Sequence, residues 1–423
     1  MIVTDTSTPP AVAQRTWLGA GLALAAVGWG ANQFAPLIVM YTSRLGLSSA
    51  VVDAMFGLYA LGLVPALLVG GRLSDLAGRR AVVLPALLVS FLATCLLMAG
   101  GNHPAWLFAG RFVAGVAAGL AFGPGAAWLK ELSGDVGDGA AGARRSTVAM
   151  TAGFAGGPLV AGMCAQWLPL PTVTAYLPHL VVLIAAAAAV WRTPDPVQTG
   201  RNRAASAAAG RSRGLVRHFL LFVLPFAPWV FGTAAIALAY LPALVADRVG
   251  DQALLFSATA TSGTAVAGIA AQPLARVIHR LRASQLLPAS MALVLLGIGC
   301  AVWAAHTLSP LLVLLASIVL GVAYGVAQFC GLAEVQHITD SGSLGMATAM
   351  YQVLSYLGFA FPFLMAFAQN HQRLSPPSLL LGLLGLAAAA TIWLAIVTAR
   401  QQRSASGAES GGADAETGEP GPA

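Results

Sequence analysis

Gly71-Arg72-Leu73-Ser74-Asp75-Leu76-Ala77-Gly78-Arg79-Arg80 is a charged island between two long apolar runs. Gly71 permits a close helix contact and Gly78 a tight turn. The flanks extend over about 48–71 and 80–100, each long enough to cross a bilayer as a helix of about 20 residues. Lipid offers no hydrogen-bond partner to an open backbone, so such runs are helical. Two spans joined by a short basic turn set the fold class.

Outward from the island the pattern repeats. Twelve apolar runs fall at about 17–41, 48–71, 80–100, 104–128, 146–168, 172–191, 217–245, 252–275, 284–305, 309–333, 343–369 and 377–399. Of the 423 residues, 58% are hydrophobic and 9% charged, whereas an average soluble domain carries about 25% charged residues. So few charges cannot give this chain a water-facing surface, which excludes a soluble enzyme, a disordered chain and a nucleic-acid-binding protein. The net charge of +7 is a matter of topology instead. With both termini inside, eighteen of the 22 basic residues fall in inner segments, Arg44, Arg248 and Arg373 in outer loops, and Arg111 within a run. That asymmetry is the mark of a multi-pass protein with cytoplasmic termini. Residues 1–16 are polar, contain Pro9 and Pro10 and lack the form of a cleavable signal, so the first run is expected to remain as an anchor. Cys95, Cys164, Cys300 and Cys330 lie within runs and read as small packing residues, with no disulfide and no metal site. The bias to Arg over the single Lys130 points to a GC-rich bacterial genome, and so to the bacterial inner membrane.

The hydrophilic stretch 193–216 separates six runs from six and reads as a flexible cytoplasmic linker. The expected organisation is a cytoplasmic segment 1–16, a six-helix bundle 17–192, the linker 193–216, a second bundle 217–400 and a disordered tail 401–423 rich in Gly, Ala and acids. The halves read as diverged copies. Ala149-Met150, Gly153-Phe154-Ala155 and Pro158 recur about 200 residues later as Ala349-Met350, Gly358-Phe359-Ala360 and Pro362. An all-α membrane protein of twelve transmembrane helices in two pseudo-symmetric bundles follows.

The island fills every fixed position of the loop signature G-x-L-(A/S)-D-x-x-G-R-(R/K), and in this it resembles the major facilitator superfamily. The resemblance implies that Gly71, Asp75, Gly78, Arg79 and Arg80 form a latch, with Asp75 docking on the other half to hold one conformation. The fourth run, Arg111 to Gly119, is similar to the superfamily's fourth-helix pattern of an Arg followed by glycines. Its Gly115 and Gly119 make a small-residue packing face. The fifth run resembles the G-x-x-x-G-P-x-x-G-G motif of drug-efflux members: Gly153, Gly157, Pro158 and Gly162 match, and Ala161 stands in place of one glycine. In the resembling families this face meets the second half and accompanies export. The likeness covers about residues 15–400. It implies a monomeric secondary transporter, with no enzyme activity and no cofactor, working by alternating access. No GxxxxGK(S/T) loop is present to bind ATP.

Few polar side chains lie within the runs. Trp29 and Gln33, four apart, share a helix face, and Asn32 adjoins them. By helical rise, Arg111 lies ~10 Å, Gln33 ~12 Å and Asp53 ~8 Å from the outer ends of their runs, which puts them in one layer. Asp53 is the only carboxylate clearly within a run. Two roles are open to it: a pair with Arg111 that carries the coupling proton, or a cap at the outer helix end beside Ser48 and Ser49. His179 reads as a packing histidine ahead of a second proton site. In the second half, Trp229, Thr233, Ile236 and Tyr240 recur at i, i+4, i+7 and i+11 as one stripe. Ser257, Thr261 and Thr264 form another, and Tyr324, Gln328, Tyr351 and Gln352 lie on runs that by resemblance face a central cavity. An aromatic, neutral-polar lining of Trp29, Asn32, Gln33, Trp229, Thr233, Tyr240, Gln328, Tyr351 and Gln352 suits a small amphipathic organic compound. The expected activity is proton-coupled efflux of such a compound; the alternative is uptake of a small metabolite by symport or facilitated diffusion.

Overall fold

The computed structural model of the chain describes residues 16–101, 103–133, 141–195, 213–274, 277, 286–338 and 344–416. Twelve helices are long and apolar enough to span a membrane. They are α1 Leu18–Leu45, α2 Ala50–Ser74, α3 Arg79–Ala99, α4 Pro104–Ser133, α5 Arg145–Trp167, α6 Pro171–Arg192, α7 Val216–Leu244, α8 Ala246–Leu274, α9 Leu286–Thr307, α10 Pro310–Val335, α11 Met350–Gln372 and α12 Pro376–Gln401.

Proline and glycine set many of the ends and breaks. Helices α4, α6, α10 and α12 open on Pro104, Pro171, Pro310 and Pro376, where a fixed φ suits the first turn and no N–H is wasted. Gly78, between α2 and α3, adopts φ 98° and ψ 161°, so the tight turn expected of it is real. Helix α1 is interrupted: its α-helical part ends at Asn32, a short 3-10 turn Ala35–Leu37 carries Pro36, and the helix resumes at Ile38. Helix α7 contains two π-helical segments, Phe219–Val223 and Ile236–Tyr240, which run up against Pro225 and Pro242. A proline cannot donate to the carbonyl four residues back, and each wide turn sits beside such a gap.

One apolar core lies within α1–α6 and another within α7–α12. Glycines press corresponding helices together in both. A Cβ at Gly115 or Gly119 would strike the carbonyls of Tyr59 or Leu63, pressing α4 onto α2. A Cβ at Gly321 or Gly325 would strike those of Thr264 or Gly268, pressing α10 onto α8. This repetition at an offset of about 200 residues is the duplication in packing terms. A third cluster joins the halves, with Phe34, Leu37, Val52 and Phe56 against Ala234, Leu238 and Phe359. It lies toward the end of the bundle opposite the Gly71–Arg80 loop, and these ends are called the far end and the loop end below. The halves meet through α5 with α8, α2 with α11, and α1 with α7 and α8.

Beyond the last span the backbone stays helical to Glu416, which departs from the irregular tail expected from 401 onward. No proline falls before Pro420 to stop a helix through this Ala-, Gln- and Glu-containing sequence. Residues 417–423, the segment 1–15 and linker residues 196–212 lie outside the described residues.

Candidate functional site

At the loop end, Arg79 donates to Glu131 at the end of α4 through Nη2 (2.8 Å) and Nε (3.1 Å), and to Ser74 Oγ through Nη1 (2.8 Å). The Asp195 carboxylate accepts from the backbone N–H groups of Arg79 (3.3 Å) and Arg80 (3.1 Å), filling two of the donors that a helix start leaves open. Arg80 donates to the Thr193 carbonyl, and Trp128 Nε1 to that of Pro194 (3.0 Å). Residues 193–195, read from sequence as linker, are therefore pinned to the first bundle. Asp195 escaped the sequence reading because nothing local marks a cap supplied from over 110 positions away. Gly71 makes no close helix contact among the described residues: a Cβ there meets nothing within 4 Å. The side chain of Asp75 lies outside the described residues.

Arg111 does not snorkel; it is 1% exposed. Its guanidinium donates to the carbonyls of Ala31 (3.0 Å), Phe56 (3.2 Å) and Met55 (3.4 Å). It also lies 4.8–5.5 Å from the ring centroids of Phe34, Phe56 and Tyr59, within the range of cation–π attraction. The expected pair with Asp53 does not form; no ion pair joins the two among the described residues. The break in α1 frees the Ala31 carbonyl, and three carbonyls with three rings take up the donors of Arg111.

Asp53 is 5% exposed. It is not the helix cap either, since Ser48 Oγ accepts from the Val51 N–H (3.4 Å) at that end. Across the half-to-half boundary, the Tyr240 hydroxyl of α7 lies in the electrostatic field of Asp53 and is buried without a hydrogen-bond partner among the described residues. The sequence thus located the buried carboxyl and the buried guanidinium but not their partners.

His179 of α6 is fully buried and ties the first bundle together. Its Nε2 meets the Ala26 carbonyl at 2.9 Å; a carbonyl only accepts, so Nε2 carries the proton. Nδ1 then accepts from Gln33 Nε2 (3.1 Å) and faces Thr94 Oγ1 (2.8 Å). The ring lies parallel to Trp29 at 6.4 Å between centroids. This is the arrangement of a satisfied packing histidine, and it fixes the rotamers of Trp29 and Gln33. Trp29 Nε1 and Gln33 Oε1 are left buried and unpartnered among the described residues. Asn32 is half-buried at the break in α1.

The α5 motif divides its contacts. A Cβ at Gly153 would strike the Ala25 carbonyl, and one at Gly157 would crowd Trp29, so these two glycines face α1 of their own half. Gly162 faces Ala258 of α8, and Ser262 Oγ donates to the Ala155 carbonyl (2.7 Å). The face expected to meet the second half does so at Ala155 and Gly162, while Gly153 and Gly157 face α1, because α5 is wedged between α1 and α8. Pro158 lies in α5 between these two contact zones.

In α7 the expected single stripe is not kept. The π segment beginning at Ile236 shifts the phase, carrying Tyr240 toward Asp53. Thr233 Oγ1 is spent on the Val230 carbonyl (2.9 Å), and Trp229 packs edge-on against Phe361 at 5.3 Å. Tyr351 is buried inside the second bundle with its hydroxyl 3.4 Å from the Gln328 carbonyl. Gln328 Oε1, Gln352 Oε1 and Thr261 Oγ1 are buried without partners among the described residues.

An aromatic group that the sequence reading did not assemble lies where the halves join. Phe231 stacks on Tyr356 (4.4 Å) and Phe359 (5.2 Å) and leans on Tyr324 (5.5 Å). Phe359 meets Phe56 (5.4 Å) and Tyr59 (6.3 Å) edge-on. The i, i+3 spacing of Tyr356 and Phe359 was a usable signal; their partners came from helices distant in sequence.

Two six-helix bundles, joined at one end and enclosing unpartnered polar atoms, define a secondary transporter. The Major Facilitator Superfamily profile matches residues 18–363, and the chain belongs to that superfamily. No curated protein matches the sequence. Among solved structures, the nucleoside transporter NupG superposes with a TM-score of 0.67 at 12% identity, covering 91% of this chain and 98% of that one. The D-xylose–proton symporter gives 0.66 at 15% identity, covering 89% and 96%. The POT family transporter PepTSo gives 0.67 at 12% identity, covering 92% and 98%. At these identities the likeness is one of fold. The chain is a multi-pass membrane protein of the transporter class.

Proposed function

We propose that the protein exports a small amphipathic organic compound in exchange for protons, as a monomer in the bacterial inner membrane with both termini cytoplasmic. The observation that carries this reading is Asp53, a buried carboxyl at the boundary between the halves that meets no cation among the described residues and has the Tyr240 hydroxyl of the other half near it. A carboxylate at that depth is expensive without a partner, so proton gain and loss there bias how the halves meet. Arg111 contributes by holding the α1 break against α2 beside this carboxyl. The unpartnered atoms of Trp29, Gln33, Tyr240, Gln328 and Gln352 are neutral donors and acceptors, which favours an uncharged or amphipathic cargo; Asn32, Trp229, Thr233 and Tyr351 complete the proposed lining. Bundles 17–192 and 217–400 rock against each other, parting and remaking the α2–α11 and α5–α8 contacts, and the Gly71–Arg80 loop with Asp75 latches the loop end when it closes. The direction rests on the likeness of Gly153, Gly157, Pro158 and Gly162 to the efflux motif.

In proteoliposomes with an imposed proton gradient, movement of a neutral amphipathic dye opposite to the proton flux is the expected result; flux in the same direction overturns antiport. Asp53→Asn is expected to abolish gradient-driven transport while leaving exchange without a gradient intact. Full gradient-driven transport in that variant removes Asp53 from the mechanism. Uptake is the second reading, favoured by Gly153 and Gly157 facing α1 rather than the second half.

A further inference from the structure

A groove of about 330 Å³ opens on the outside of the second bundle at the loop end, lined by Arg217, Leu221, Trp393, Val397, Arg400 and Gln401. It lies away from Asp53, from the aromatic group and from every residue of the proposed transport path. Its two walls are helical stripes running in opposite chain directions. On α7, Arg217 stands at the loop end, with Leu221 and Leu224 one and two turns deeper. On α12, Trp393 is deep, Val397 follows one turn out, and Arg400 with Gln401 stands at the loop end. Both walls therefore put a guanidinium at the membrane boundary and apolar surface over the next ~10 Å. Arg217 and Arg400 are exposed, as are Leu220, Leu224, Trp393 and Ile396 beside the groove. In an 18-residue apolar window of α12 only 17% of residues are buried, and with Leu220, Leu224, Trp393 and Ile396 exposed this face is open to lipid.

The groove is built, not incidental. Pro225 has no N–H to offer the carbonyl of Leu221 four residues back. The indole N–H of Trp393 donates to that carbonyl instead (2.9 Å), which spans the two helices and sets the groove's floor.

We propose that this groove is a binding site for an anionic diacyl phospholipid, its headgroup phosphate between Arg217 and Arg400 and an acyl chain laid along Leu221, Val397 and Trp393. A guanidinium meets a phosphate with two parallel N–H bonds, and basic pockets between spanning helices on the anionic leaflet attract such headgroups. Free inorganic phosphate shares the headgroup chemistry but has nothing to fill the apolar part. The proposal is independent of the transport direction and of the coupling ion.

The test is native mass spectrometry of the full chain in detergent, titrated with dioleoyl phosphatidylglycerol, dioleoyl phosphatidylcholine and inorganic phosphate. Phosphatidylglycerol is expected to bind in preference to phosphatidylcholine, and inorganic phosphate is expected not to displace it at equal concentration. The double variant Arg217→Gln, Arg400→Gln is expected to bind phosphatidylglycerol about thirtyfold more weakly, the size of two basic side chains lost at an anionic surface. Both arginines are exposed, and binding by the variant is compared at a temperature where its measured unfolding curve shows it folded. The control variant Arg72→Gln, Arg192→Gln removes two exposed arginines of the same end outside the groove and is expected to leave binding unchanged. Equal binding of both lipids, wild-type binding by the groove variant, equal loss in the control variant, or displacement by inorganic phosphate would each overturn the proposal.

Discussion

Arg111 shows how much of a buried charge's fate depends on neighbours that sequence cannot place. Depth along a helix puts Arg111, Gln33 and Asp53 in one layer, but it does not say which way each side chain points around its axis. The guanidinium faces the α1 break and the first turns of α2, where it finds the carbonyls of Ala31, Met55 and Phe56. A planar fork reaches three acceptors on two helices; a lysine ammonium is a compact point that cannot span them. Arg111→Lys should therefore cost about 2 kcal/mol, the usual worth of hydrogen bonds to a charged group, and lower the unfolding temperature in detergent. Arg111→Met should cost at least as much as the lysine, since it leaves the Ala31 carbonyl at the α1 break buried without a donor. An Arg111→Lys protein as stable as wild type would mean that the carbonyl cradle contributes nothing. Asp53 belongs at this scale too: its burial was legible, whereas Tyr240 comes within its field because of a π turn that a 3.6-residue period does not contain.

Whole helices were far more legible than their neighbours. All twelve spans were visible because 20 apolar residues in a row have few other fates, and Pro104, Pro171, Pro310 and Pro376 mark starts by their chemistry. The faces of α5 were less so, because a glycine-rich helix has small residues on every side. Gly153 and Gly156 test the assignment. A Cβ at Gly153 collides with the Ala25 backbone, while one at Gly156 meets nothing within 4 Å. Gly153→Ala should separate α5 from α1 and lower both stability and transport, the overpacking cost being about 1–3 kcal/mol. Gly156→Ala should be neutral or slightly stabilising, as alanine is the better helix former. The two unfolding temperatures, measured side by side, decide it; equal effects would mean that α5 is turned otherwise. The linker boundary was not legible for a related reason. Thr193, Pro194 and Asp195 look like any polar connector, and only the folded position of α3, α4 and α6 turns them into partners of Arg80, Trp128 and two backbone N–H groups.

At the scale of the molecule, the described contacts between halves run from mid-bundle to the far end: Phe56 and Tyr59 on Phe359, Gly162 on Ala258, and Ser262 on the Ala155 carbonyl. At the loop end the described hydrogen bonds of Arg79 and Arg80 go to Ser74, Glu131, Thr193 and Asp195 of the first half. The described contacts thus hold the far end shut, and transport by rocking requires that end to part. Gly162 and Ala258 touch across this seam, so Gly162→Cys with Ala258→Cys, in a background where Cys95, Cys164, Cys300 and Cys330 are replaced by Ala, places two thiols within reach of a disulfide after a slight helix separation. Oxidation should cross-link the halves and stop dye transport in proteoliposomes, and a reductant should restore it. Each single cysteine should transport before and after oxidation, which separates loss by locking from loss by substitution. Undiminished transport by the cross-linked protein would mean that the far end does not open during the cycle, and that rocking apart at the α5–α8 contact is not how cargo passes.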